Sequence, residues 1–203
     1  MSYFARFEEV DGDLYRFDTR IYLSGGNPSN ESICVGAVVG INPGSARPRV
    51  LSTHHELELG NDKLLPYVRN RFRTSYAQLG SELPSGTFVQ VLNLFYLCNK
   101  DLGQALARQR ELGEMAACPA EKNTFPLAWY AWGAESEELA PLKRRFLNRK
   151  DRVSFYMNRD KKTFSEGAPG LMDFAKHPRC MPAVPVEAKL KSVLAVIAAD
   201  LKA

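Results

Sequence analysis

Four apolar runs, each ended by turn or polar residues, set the pattern of this chain. The first, Ile33 to Ile41 (ICVGAVVGI), carries no polar alternation, so it predicts a strand buried on both faces, as in a parallel sheet. Thr87 to Leu97 (TFVQVLNLFYL) predicts a second buried strand, Phe125 to Trp132 a third and the short run Val153 to Met157 a fourth. Helical spacing fills the intervals: Asn61 to Leu79, capped by Asn61 or Asp62 with Pro66 tolerated in the first turn, then Asp101 to Ala117, then Glu135 to Leu147. A last amphipathic helix, Val186 to Leu201, places Val186, Leu190, Val193, Leu194, Ile197 and Leu201 on one face. Strands alternating with helices predict βαβ units, hence an α/β three-layer sandwich with a mainly parallel central sheet. Residues 3 to 23 alternate instead around Asp11-Gly12-Asp13, which predicts an antiparallel β-hairpin at the sheet edge.

Two tracts fall outside this pattern. Ser45 to Gly60, with His54 and His55, reads as irregular and is a candidate substrate loop. Thr163 to Pro185 is rich in Gly and Pro and holds His177-Pro178, the one His-Pro pair of the chain. A long irregular segment in a compact domain is more often functional than merely connective.

Length and composition narrow the class. The 203 residues, 45% of them hydrophobic, suffice for one well-buried domain over residues 1–203. No run reaches the roughly 18 to 20 apolar residues of a membrane span, and MSYFARFEEV lacks a signal-peptide core, so a soluble, cytoplasmic protein without a membrane partner is expected. Cys34, Cys98, Cys118 and Cys180 are widely spaced with no C-x-x-C pair, which argues for structural thiols and for no metal or other cofactor. The net charge of +4 is modest, but its distribution is uneven. Arg144, Arg145, Arg149, Lys161 and Lys162 fall in one basic tract, and Arg69 and Arg71 in a second. These seven are candidate nucleic-acid-binding residues, because such density is what neutralising a phosphate backbone requires. A solvated helix face would account for either cluster equally.

Chemistry concentrates at strand ends, where α/β sheets bind ligands. Asn42 follows the first strand on a loop stiffened by Pro43, and Gly44 allows close backbone approach by a ligand. Asn-Pro-Gly is also a favoured turn tripeptide. Asn93 lies near the end of the second strand, Trp132-Gly133 ends the third and His177 follows the fourth.

In their order, Gly40-Ile41-Asn42-Pro43-Gly44, Leu92-Asn93, Trp132-Gly133-Ala134 and His177-Pro178 resemble the motifs of the uracil-DNA glycosylase superfamily, the first most like its mismatch-specific branch. Tyr15-Arg16-Phe17, Asn93-Leu94-Phe95 and Ala131-Trp132-Gly133 resemble, more closely still, a bacterial and phage family of unknown function grouped near that superfamily. The likeness spans about Leu14 to Pro182.

The resemblance implies a DNA glycosylase-like protein that binds a nucleobase and hydrolyses the N-glycosidic bond of a uracil-like or modified base, with a role in base excision and DNA repair. Such chemistry needs an oriented water, a donor for the departing base anion and a reader for the base edge. Asn42 and His177 are the candidate catalytic residues: the Asn42 carbonyl holds water, although an amide is no general base, and His177 donates to the anion. Asn93, with donor and acceptor side by side, would pair with a flipped base, and Phe95, Gly44, Trp132 and Gly133 complete the base-binding set. Where these glycosylases carry Ser and Leu after His-Pro, this chain has Arg179-Cys180-Met181, leaving Met181 as the candidate wedge into the stack. The expected partner is single- or double-stranded DNA. The alternatives are a non-catalytic module binding nucleic acid or a protein on the same fold, and a hydrolase of free nucleosides or nucleotides.

Overall fold

A computed structural model describes residues 2–44, 46–48, 55–113, 116–134, 137–159, 161 and 163–200. The chain opens on two antiparallel strands, β1 (Tyr3–Val10) and β2 (Asp13–Tyr22). Asp11 and Gly12 between them both have positive φ, the backbone that a two-residue hairpin loop needs to match strand twist. Then follow β3 (Ile33–Gly40), β4 (Arg47–Pro48), β5 (His55–Glu58), α1 (Leu64–Gln78), β6 (Thr87–Asn93) and α2 (Leu102–Leu112). The chain continues through β7 (Leu127–Tyr130), α3 (Ala140–Leu147), β8 (Val153–Met157), β9 (Phe164–Glu166) and α4 (Ala183–Asp200).

The sheet order is β4-β5-β1-β2-β6-β3-β7-β8-β9. At its centre β6, β3, β7 and β8 run parallel, and every other pairing is antiparallel. The sheet is therefore mixed and not mainly parallel, and the hairpin is not at its edge. β5 pairs with β1 and β2 with β6, so the hairpin is built into the interior of the sheet. The tract read as irregular supplies the covering strands, because His55–Glu58 buries His55 and Leu57 alternately.

Alternation along the parallel strands feeds two cores. Val38, Val89, Val91, Trp129 and Phe155 pack with Leu65, Val68 and Phe72 of α1 and Val186, Leu190 and Leu194 of α4. Ala37, Val39, Leu92, Tyr130 and Tyr156 face the other way, toward Ala105 of α2 and Leu142 and Phe146 of α3. Helices thus cover both faces, which is why the central strands read as unbroken apolar runs. Asp101 accepts from the Gln104 backbone N–H to cap α2, and that helix stops at Gly113, short of the Ala117 expected. On α4 the expected apolar face is buried from Val186 to Ile197, and Leu201 lies outside the described residues. No helix among the described residues is long and apolar enough to cross a membrane.

Candidate functional site

The four parallel strands end on one side of the sheet at Gly40, Asn93, Tyr130 and Met157. Backbone bonds beyond those ends hold the following loops together. Leu94 and Phe95 N–H groups donate to the Gly40 and Ile41 carbonyls at 3.0 and 3.2 Å, so the loop carrying Asn42 stays beside the end of β6. Gly133 N–H donates to the Ala175 carbonyl at 2.7 Å and Lys176 N–H to that of Met157 at 2.7 Å, which brings the His177 loop across the end of β7. The result is a cleft of about 200 Å³ lined by Asn42, Gly44, Asn93 and His177, below the roughly 300–1,000 Å³ of pockets for drug-sized ligands.

Each of these side chains is fixed differently. Asn42 Nδ2 donates to the Asn99 carbonyl at 2.8 Å, so Oδ1 is the atom left for a ligand or water. Asn93 is 1% exposed and its Nδ2 has no hydrogen-bond partner among the described residues. A buried amide donor left unmade costs roughly 1–3 kcal/mol, so this one calls for an acceptor, whether water or ligand. Gly40 lies opposite Asn93 in the parallel register, and a Cβ there would sit 3.0 Å from Asn93 Oδ1, so the glycine leaves the amide its room.

His177 precedes a short 3-10 turn, Pro178–Cys180, and its Nδ1 accepts from the Arg179 backbone N–H at 3.3 Å. In the neutral ring the proton therefore sits on Nε2, which becomes the donor available to a ligand. Burial, and then the positive charge of Arg179, push the imidazole below its ordinary range, against an opposing pull from Asp62. The ring is neutral at neutral pH. Because the folded-state value lies below the unfolded one of about 6.5, the stability this group contributes is present above that value and lost as pH falls through the folded value. Denaturant midpoints measured between roughly pH 7 and 5 should fall, and less steeply in His177→Gln than in the wild type.

Gly133 does not line the cleft but builds it. Its φ is 68°, and a Cβ there would lie 2.6 Å from that of His177. Gly133→Ala should cost about 1–2 kcal/mol in backbone strain alone. It should also displace His177, a change that chemical denaturation and the His177 imidazole NMR signals would both register.

Other candidates lie elsewhere. Phe95 and Trp132 are each 1% exposed and packed in the core beneath α2 and α3, away from the cleft lining. Met181 is buried in the opposite core, which removes it as a wedge. Of the basic candidates, Arg69 donates to the Tyr22 and Leu23 carbonyls, and Arg71 pairs with Glu187, so both tie α1 to its neighbours. Arg145 donates to the Leu94 carbonyl and sits 3.5 Å from Glu121. Arg149 grips Asp151 with two bonds, at 2.8 and 2.7 Å, and reaches the Glu121 and Asn123 carbonyls. These four are each engaged with neighbouring elements of the fold. Arg144 and Lys161 are exposed, and Lys162 lies outside the described residues, as does His54.

Sequence reasoning missed a different set. Arg16, Asp62, Lys63, Lys100 and Arg179 also line the cleft. Asp62 is visible in the sequence only as a helix cap, and it does accept from the Leu64 and Leu65 N–H groups at 2.8 and 3.2 Å through Oδ1. Its second oxygen takes no part in that cap. Among the described residues no group of three or more His, Cys, Asp or Glu side chains could hold a metal ion. No protein-family model, curated protein or solved structure matches the chain.

Proposed function

We propose that the cleft binds a nucleobase and hydrolyses its N-glycosidic bond, in the manner of a DNA glycosylase. One observation carries this reading: Asn93, whose buried amide donor is unpartnered, lines a cleft that also gathers Asn42 and His177 from separate strand ends. A side-chain amide offers the donor and acceptor pair that a base edge complements.

Each cleft residue then has a task. Asn93 holds the base edge. Asn42, its amide fixed by Asn99, orients a water through Oδ1. The C1′–N bond breaks with its electron pair remaining on the base, and the water oxygen forms the new bond to C1′. Nε2–H of neutral His177 stabilises the departing base anion. An amide takes no proton at neutral pH, so the water's proton needs another acceptor, and Asp62 is the one carboxylate among the described residues lining the cleft. The proton passes to Asp62 and from there, through solvent, to the released base, so that water is divided between sugar and base.

Base release from labelled oligonucleotides and free nucleotides carrying uracil, hypoxanthine or modified cytosines, and from thymine mismatches, tests the reading, with Asn42→Ala alongside. Release that vanishes in the variant is expected, with a loss of only about 1 kcal/mol of stability from the Asn99 bond. Release that persists in Asn42→Ala removes the water-holding role. Binding without release from any substrate favours a non-catalytic module on the same fold.

A further inference from the structure

Resting on the nucleobase reading of this cleft, we infer that its substrate is a small phosphorylated nucleoside, a nucleoside monophosphate, whose phosphate sits at the rim formed by Lys63, Lys100 and Arg179.

The distribution of charge carries the inference. Lys63, Lys100 and Arg179 lie at the cleft mouth, each exposed, and Arg16 lies in its wall at 2% exposure, against Asp62, the one carboxylate among the described lining residues. The three rim side chains form no ion pair and no side-chain hydrogen bond with the described residues. Many cations elsewhere are engaged: Arg20 with Asp18, Arg71 with Glu187, Arg108 with Asp13 and Arg149 with Asp151. Three cations without an ion pair therefore converge on the mouth of one cleft, whereas gripping a nucleic-acid backbone needs contacts to several phosphates in a row. A single phosphate needs only that convergence.

Size and donor placement agree. A cleft of about 200 Å³ suits one base and its immediate attachment. The N-terminus of α1 faces this cleft, but its Leu64 and Leu65 N–H groups are already taken by Asp62. The phosphate would therefore be held by side chains and not by the helix end. With Asn93 Nδ2 on the base and the rim cations on the phosphate, the ligand is fixed at both ends, and the sugar C1′ lies between them for Asn42 and its water. The products are a free base and a sugar 5′-phosphate, formed from the nucleotide and one water.

Isothermal titration separates the outcomes, using purine and pyrimidine nucleoside 5′-monophosphates, the matching nucleosides, and a single-stranded oligonucleotide, each across a range of salt. The probes are added to wild type and to the double variant Lys100→Ala, Arg179→Ala, which retains the Arg179 backbone bond to His177. The expected result is a nucleotide preferred over its nucleoside by roughly tenfold or more in the wild type, with that preference largely lost in the double variant. Equal affinity for nucleoside and nucleotide overturns the inference. So does tight oligonucleotide binding with a steep salt slope and no nucleotide preference. Base release from oligonucleotides without nucleotide binding overturns this inference alone. Failure of every probe to bind or react overturns the nucleobase reading with it.

Discussion

Asp62→Asn should lower base release by roughly 10²- to 10⁴-fold, the usual weight of a general base, while leaving the thermal midpoint close to that of the wild type. The pairing of outcomes follows from the two jobs of one side chain. Asp62 Oδ1 accepts from the Leu64 and Leu65 N–H groups at the start of α1, and an asparagine carbonyl accepts the same bonds. What the asparagine lacks is a carboxylate to take the water's proton. Asp62→Ala removes both and should cost a further 0.5–2 kcal/mol or so, roughly the worth of the lost cap. Differential scanning calorimetry beside base-release kinetics separates the two variants. Equal activity in Asp62→Asn and wild type would leave Asp62 a cap and nothing more.

Arg149→Ala should destabilise the fold by roughly 3–5 kcal/mol, the range for breaking one side of a buried ion pair. Its side chain is 7% exposed and that of its partner Asp151 is wholly buried. Asp151 also accepts from the Phe125 N–H, and Arg149 reaches the carbonyls of Glu121 and Asn123, so the pair ties the segment entering β7 to the start of β8. Removing the arginine leaves a buried carboxylate and two carbonyls without their donor. Urea denaturation would record the loss as a lower midpoint at unchanged slope. Arg144→Ala, at an exposed position of α3 in the same basic tract, should leave the midpoint where it is in the wild type.

Much of this arrangement is legible in the sequence, and what is not has identifiable physical reasons. β3 and β8 lie where their apolar runs place them, because strands covered on both faces carry no polar alternation. β5 and β9 escape notice because runs of four and three residues hold too little periodicity to count. The interior position of the hairpin depends on β5, which arrives only after β3, and no local signal carries that pairing. Counting charge in the basic clusters without periodicity hides which of their side chains turn inward. Arg69 falls on the stripe of Leu65, Val68 and Phe72, and Lys143, on the helix that carries Arg144 and Arg145, on that of Leu139, Leu142 and Phe146. Helical spacing alone therefore marks both as inward-facing. Asp151, two residues after Arg149, is a visible partner as well. At the site, the order of motifs brings out Asn42, Asn93 and His177, since each follows or ends a strand. Lys63, Lys100 and Arg179 have no sequence pattern, because single exposed cations acquire one only when the fold gathers them.

The most direct measurement of the central claim is a ¹H–¹⁵N NMR titration of the side-chain amides with free bases and nucleoside monophosphates. The Asn93 Nδ2 pair is expected to move most on saturation, as its unpartnered donor gains an acceptor, with Asn42 and His177 shifting in step and exposed Asn70 and Asn148 unmoved. Asn93 signals that stay fixed while any of these ligands saturates the protein would contradict a base-reading role for that amide.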